Sequence, residues 1–357
     1  MTTFLDNLYI VWAIGSKDIL DALKNKKIRT NIILMMGVVV FFYWASTVRP
    51  WDKSIEVVVF DESDSGLFEG TIELSDSFEI RHIEVSSLGQ MQRNMRFEHW
   101  GLVVPADFEQ TLASGREAVL TGYVLWSFRS QVTELEVLYS AKFSEMLGQS
   151  VRIEIGDNIV IPAPNIETNT VNTHILFAVF FIAISLVPYL MIEEKQTKTM
   201  DALLVSPASA GQVVMGKALA GFFYVLLSGG LFFALNWIYI TNWGLALLAF
   251  FFAAMFSIGL ALLMGILVKS PQQISFWTLP IVFLLLVPAF FSQEPNLASG
   301  LKAVVGWLPT SAMVEIIQFA MSGSAPMDQL FKDIAVLLGS TALIFVILVW
   351  KVRRSDH

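Results

Sequence analysis

Residues whose types and spacing could do chemistry begin with Gly211 to Ala218, GQVVMGKA, which nearly spells the phosphate-binding loop G-x-x-x-x-G-K-[ST]. In such a loop the glycines let backbone N–H groups cradle phosphate oxygens, the lysine reaches the terminal phosphates and the hydroxyl ligates Mg²⁺. Here the hydroxyl position is Ala218, no apolar strand precedes Gly211, and a membrane-length apolar run follows Lys217, so no phosphate loop is expected. The segment from Glu193 to Lys217 has 25 residues, against the roughly 100 that a nucleotide-binding domain needs. Other reactive types are sparse. There is no cysteine, hence no disulfide, thiolate ligand or thiol nucleophile, and the four histidines (His82, His99, His174, His357) show no metal-ligand spacing.

The elements around these residues are set by composition. The chain has 357 residues, 55% hydrophobic and 15% charged, with a mean hydropathy of +0.63. So few solvated side chains cannot cover that much apolar surface in water, which excludes a disordered chain or an ordinary soluble enzyme. A bilayer span needs about 20 apolar residues. Six runs qualify: Ile32 to Val48, Ile175 to Ile192, Ala218 to Ile240, Gly244 to Val268, Ile274 to Phe291 and Ile334 to Trp350. Short cytoplasmic segments collect Lys and Arg. One phase of the alternation puts Lys17, Lys24, Lys26, Lys27, Arg29, Lys195, Lys198, Lys217, Lys269, Lys351, Arg353 and Arg354 on one side and only Lys302 and Lys332 on the other, outside the large insertion, so both termini are expected inside.

The formal charge of −8 divides accordingly. Arg49 to Glu167 hold 9 basic and 20 acidic side chains, a local −11, while the remainder carries +3. The expected architecture is a polytopic α-helical membrane protein of six transmembrane helices with an inserted α/β extracytoplasmic domain. Its parts are an amphipathic segment (1–31), the first span (32–48), the extracytoplasmic domain (49–171), and spans two to six (172–357). In the first part Leu5, Leu8, Tyr9, Trp12, Ile19, Leu20 and Leu23 recur at helical spacing, with a break expected at Gly15-Ser16; the helix lies at the membrane interface or packs on a partner. In the inserted domain Ile55 to Phe60, Gly101 to Val104, Ala118 to Trp126 and Val151 to Ile155 read as strands, with helices starting at Pro105 to Phe108 and running from Gln131 to Leu147. The IPAPN segment, Ile161 to Asn165, reads as a stiff linker.

No span holds an Asp, Glu, Lys or Arg in its interior, which disfavours a proton- or ion-coupled transporter. Ser185, Ser228, Asn236, Ser257 and Thr278 are expected to hydrogen-bond between helices, and Ala253, Ser257, Ala261 and Gly265 make a small-residue face that admits a close helix. The run Phe250 to Phe252 is expected to face lipid or core rather than a substrate.

The loop after the second span is the most informative stretch. In EEKQTKTMDALLVSPASAGQVVMGKAL, Met200, Leu203 and Leu204 can share one face of a short helix, and Lys198 and Asp201 another. Spacing leaves two readings open, a plain interfacial turn or an element that converts a push from a soluble partner into movement of two spans.

This stretch resembles the cytoplasmic signature of the type-2 permeases of the ATP-binding-cassette (ABC) superfamily. The matches are Glu194, Lys195, Thr199, Leu203, Leu204, Ser206, Pro207, Gly216 and Lys217; Met200-Asp201 replaces a usual Leu-Glu, Gln196 a Glu and Lys198 a Gly. Val103 to Val119 is similar to an ectodomain pattern of the family's drug- and ion-efflux branch, and Leu308 to Glu315, LPTSAMVE, to its segment before the last span. The resemblance implies an exporter permease in a prokaryotic cell (inner) membrane, working as a dimer with a second permease subunit, identical or paralogous. It implies a separate ABC ATPase, which would bind ATP and Mg²⁺, docking on a coupling helix at about 196–209 formed by Glu194, Lys195, Thr199, Met200, Asp201, Leu203, Leu204, Ser206 and Pro207. This chain itself would carry no catalytic residue, cofactor or metal and bind no nucleic acid. The resemblance also implies an outer re-entrant region at about 295–327, with Pro309 and Glu315 as outer-gate candidates. The alternatives are a membrane-anchored receptor or assembly factor acting through the acidic domain, and a membrane-embedded enzyme, which lacks an intramembrane His, Asp or Glu cluster.

Overall fold

Inside a bilayer no water satisfies backbone N–H and C=O groups, so apolar runs must close their own hydrogen bonds as helices. The computed structural model describes residues 2–24, 26–47, 54–63, 71–75, 78–95, 100–160, 174–192, 209–291, 298–322 and 325–354. The helices flanking the inserted sheet are α1 (Thr2–Lys24) and α2 (Lys26–Thr47) before it. After it come α6 (His174–Ile192), α7 (Ala210–Asn236), α8 (Trp243–Leu267), α9 (Pro271–Phe291), α10 (Ser299–Val305), α11 (Pro309–Met321) and α12 (Met327–Arg354). Five of these are long and apolar enough to cross a membrane: α6, α7 with its following turn, α8, α9 and α12. The consecutive helices α10 and α11, bent by 89° at their junction, qualify together as a sixth. Among the described residues the count is therefore five or six. In the first expected span, helix α2 carries the apolar stretch Ile32–Phe41, which begins after Lys26, Lys27, Arg29 and Asn31 in its first turns.

The bundle core is drawn chiefly from α6, α7, α8, α11 and α12, with Ile274, Val282, Leu286 and Ala289 of α9 and Ile32 and Val39 of α2 joining it. The small face of α8 is used within the chain. Ala253, Ser257 and Ala261 are buried, and a Cβ on Gly265 would lie 2.6 Å from the Pro188 carbonyl of α6. Phe250 is buried in edge-to-face contact with Phe233, while Phe251 is exposed. Of the expected interhelical hydroxyls, Ser228 donates to the Ala178 carbonyl at 2.5 Å, in the π-helical turn Phe177–Phe181 of α6. Asn236, Ser257 and Thr278 instead donate to carbonyls of their own helices.

The inserted unit is a seven-stranded sheet: β1 (Ser54–Asp61), β2 (Thr71–Ser75), β3 (Phe78–Glu84), β4 (Trp100–Val104), β5 (Ala118–Leu125), β6 (Val151–Glu154) and β7 (Ile159–Val160). The order is β2-β3-β1-β4-β5-β6, with β7 on β5; β2–β3 and β4–β5 are antiparallel, the other pairs parallel. Helices α3 (Leu88–Asn94), α4 (Phe108–Ala113) and α5 (Val132–Leu147) pack on it. Side chains alternate faces along a strand. Val57 and Val59 therefore join Phe108, Tyr139 and Phe143 of α4 and α5, while Val58 joins Met91 of α3 and Met95 just beyond it. Cover on both faces explains why β1 is continuously apolar from Val57 to Phe60. Trp100 stacks on Tyr139 with ring centroids 4.1 Å apart, and burial pushes the Tyr139 phenol up to about 12. The expected strands and the α5 helix are found to within a residue or two; β2, β3 and β7 were not expected.

Candidate functional site

Two junctions gather polar side chains among the helices, one at each end of the bundle. The first is the start of α7. Ser209 caps the helix by accepting from the Gln212 N–H, while the Gln212 side chain accepts from the Ser209 N–H, a reciprocal capping box. Gly211 to Lys217 are therefore helical; the Gln212 N–H is taken by the Ser209 cap and those from Val213 on by the helix, so the stretch does not form a phosphate-wrapping loop.

The two marked residues of that stretch serve helix packing. Helix α1 runs alongside α7 in the same direction. Gln212 donates to the Asn7 side chain at 2.7 Å, Val11 and Ile14 meet Gly216, and Gly15 meets Leu219. A Cβ on Gly216 would lie 2.6 Å from Ile14, and one on Gly15 2.8 Å from Leu219, so the crossing requires glycine on both helices. The expected break at Gly15-Ser16 is absent; α1 is continuous, and Gly15 is present for close approach.

Beside the crossing, Lys217 Nζ and Asp18 Oδ2 lie 2.9 Å apart, with 1% and 7% of their side-chain surface exposed. Lys217, counted from the sequence among the basic residues at the ends of the spans, is thus a buried, paired charge. The Leu8, Tyr9, Trp12, Leu20 and Leu23 stripe of α1 stays exposed, the side an interfacial helix would turn to lipid.

Glu194, Lys195, Thr199, Met200, Asp201, Leu203, Leu204, Ser206 and Pro207 lie outside the described residues, as does the IPAPN linker. What is described is the point where that segment enters α7, at Ser209.

The second junction lies at the end of the bundle that meets the sheet. Pro309 is the first residue of α11, where its missing N–H costs nothing. Glu315, one and a half turns on, is half-buried and accepts from the Gln329 amide at 2.7 Å. Its carboxyl faces that of Asp333 on α12, which is wholly buried and 3.3 Å from Lys332 Nζ. Glu315 is thus part of a polar cluster joining α11 to α12, and not a freely solvated side chain. Sequence reasoning missed Asp333 because it stands one residue before the last apolar run, where a charge reads as a flank.

The same end holds a turn that ties three parts together. After α7 the chain makes a 3₁₀ turn, Trp237–Tyr239. Arg129, at the end of the 3₁₀ turn Trp126–Phe128 of the sheet unit, donates through Nη1 to the carbonyls of Trp126 at 2.7 Å and Ile238 at 2.9 Å. Its guanidinium also lies 4.3 Å from the Trp126 ring centre and 5.8 Å from that of Trp237. Three residues beyond Ile238, the N–H groups of Thr241 and Asn242 and the Thr241 hydroxyl converge on the Ala320 carbonyl at 2.8–2.9 Å. They satisfy an acceptor that the last turn of α11 leaves without a helical partner.

Among the described residues no group of three or more His, Cys, Asp or Glu side chains is placed to hold a metal ion. Comparison with curated proteins finds no match. A protein-family model described as "ABC-2 family transporter protein" matches residues 30–350, from the first turns of α2 to the last turns of α12. That range covers nearly all of the helices and the whole sheet, and the chain belongs to the ABC-2 transporter family of membrane permeases.

Proposed function

We propose that this chain is the membrane-spanning subunit of an ATP-driven exporter, forming the translocation path with a second permease copy and docking a separate ATPase through residues 194–207. ATP and Mg²⁺ belong to that ATPase, and the α/β unit lies on the outer side of a prokaryotic cell membrane, with both termini inside. The observation that carries the reading, beside family membership, is the clamp of α1 on α7. The 194–207 segment feeds into a helix whose first turns are capped and locked to α1 by Gly216, Lys217 and Asp18. A push on that segment therefore moves two helices at once. Nucleotide shifts such a system only by contacting its two states differently, so the segment must meet the ATPase differently in each. A receptor acting through the sheet unit is not favoured, because the family match extends through the helices on both sides of it.

The test is Leu203→Asp with Leu204→Asp in cells co-expressing the ATPase. The expected outcome is loss of the ATPase from the membrane fraction and loss of transport. An ATPase that stays membrane-bound with transport unaltered would remove the segment from the coupling role.

A further inference from the structure

The turn between α7 and α8 is held from two directions, and the two holds lie close together in sequence. From the sheet unit, Arg129 grips the Ile238 carbonyl and lies over the Trp126 and Trp237 rings. From the bent helix pair, the Ala320 carbonyl binds the Thr241 and Asn242 N–H groups, and the Thr241 hydroxyl reaches both Ala320 and, at 3.1 Å, Ser322. Only Tyr239 and Ile240 separate Ile238 from Thr241, and Ile240 is buried. The turn therefore has little room to absorb a displacement between its two tethers.

We infer that the Trp237–Asn242 turn is a relay through which the position of the α/β unit controls opening of the bent pair α10–α11. A partner or ligand that holds the unit in one position thereby biases α11, and by reciprocity the state of α11 changes that partner's affinity. Arg129 and Thr241 are positioning residues in this scheme. They touch no substrate; they connect two bodies through one backbone segment. The inference goes beyond the permease reading and needs neither ATP nor an ATPase.

The absence of cysteine from the chain makes the test clean. Ser311→Cys places a single thiol at a wholly buried position in the first turn of α11, where a maleimide fluorophore can react only when that helix opens. In the purified full chain in lipid nanodiscs, Arg129→Ala and Thr241→Val should each raise the labelling rate at least about fivefold, the lower end of ordinary allosteric coupling. Combined, they should raise it no further than the larger single effect, since both cut one path. Arg152→Ala, which removes an exposed ion pair with Glu117 and Glu154 elsewhere on the sheet unit, should leave the rate unchanged.

Unchanged labelling in Arg129→Ala, or multiplicative effects in the double variant, would overturn the relay. Should Arg129→Ala lower the melting temperature of the chain, Trp237→Ala, made on the bundle side of the contact, carries the same test with the same criteria. Because no nucleotide or ATPase is present, failure here leaves the permease proposal standing, and failure of the ATPase-docking test leaves this one standing.

Discussion

At the scale of single residues, Lys217 is the side chain whose meaning the structure changes most. An ammonium on its own in a packed helix interface loses its hydration, and attraction to a partner offsets that loss only when contact is close and other donors are satisfied. Asp18 at 2.9 Å supplies the contact. Removing one member leaves the other charged and buried, so Lys217→Met or Asp18→Leu alone should destabilise the chain by about 3–5 kcal/mol. The double change Asp18→Leu with Lys217→Met should recover most of the loss, because replacing both charges by apolar side chains of similar volume is often neutral. Thermal unfolding of the purified variants in one lipid composition checks both statements. Equal damage from the single and double changes would show that something other than the pair is at work.

That pairing was not legible in the sequence. Gly216 and Lys217 stood out, first as the tail of a near phosphate loop and then as a family motif. Their partners Ile14, Gly15 and Asp18 lie some 200 residues away, and no periodicity within either segment announces a contact between them. Asp333 was hidden for a related reason: hydropathy marks where a run begins, whereas burial depends on what packs against that beginning, here α11.

At the scale of elements, sequence reasoning works where one physical requirement dominates. The apolar runs became helices because the bilayer allows little else, and α5 stops at Gly148, which adopts the left-handed conformation (φ 66°) that glycine reaches without strain. β1 was legible from its unbroken apolar run. In β3, Phe78 to Glu84, charged residues interrupt the pattern, and its place was fixed only by pairing in register with β1.

The α1–α7 crossing yields an element-scale prediction. The Asn7 and Gln212 side chains meet at their tips, so Asn7→Cys with Gln212→Cys should be joined within the chain by a short bis-maleimide cross-linker. Adding Gly216→Leu, whose side chain would occupy the space of Ile14, should force α1 away and reduce cross-linking several-fold. Undiminished cross-linking would mean that the two helices pack without the glycine seam.

At the scale of the whole molecule, the chain is a helical bundle with an acidic α/β unit fixed to one end and the entry to the 194–207 segment at the other. Helix α7 runs between them, anchored near one end by α1 and followed at the other by the turn that meets both the sheet unit and α11. The exposed surface is rich in large apolar side chains, among them Phe276, Leu279, Phe283 and Leu284 on α9, as a lipid-embedded protein or one half of an assembly requires.

Helix α12 also fixes a length. Its 28 residues would measure about 42 Å as a straight helix. The uncharged stretch from Ile334 to Trp350, 17 residues, covers only about 26 Å, a little less than the ~30 Å hydrocarbon layer of an average bilayer. Asp333 bounds it at one end; at the other, the Arg354 guanidinium lies over Trp350, 4.7 Å from the ring centre, and Lys351 follows directly. A thicker membrane would draw those charges toward hydrocarbon or force the lipid to thin around them, at a cost of fractions of a kcal/mol per Å of mismatch. Melting temperature should therefore fall steadily as the protein is moved into vesicles of longer acyl chains, and an equal temperature across the series would show that α12 does not set the fit. Through this one helix, the thickness of the surrounding membrane becomes a condition on where the protein can reside.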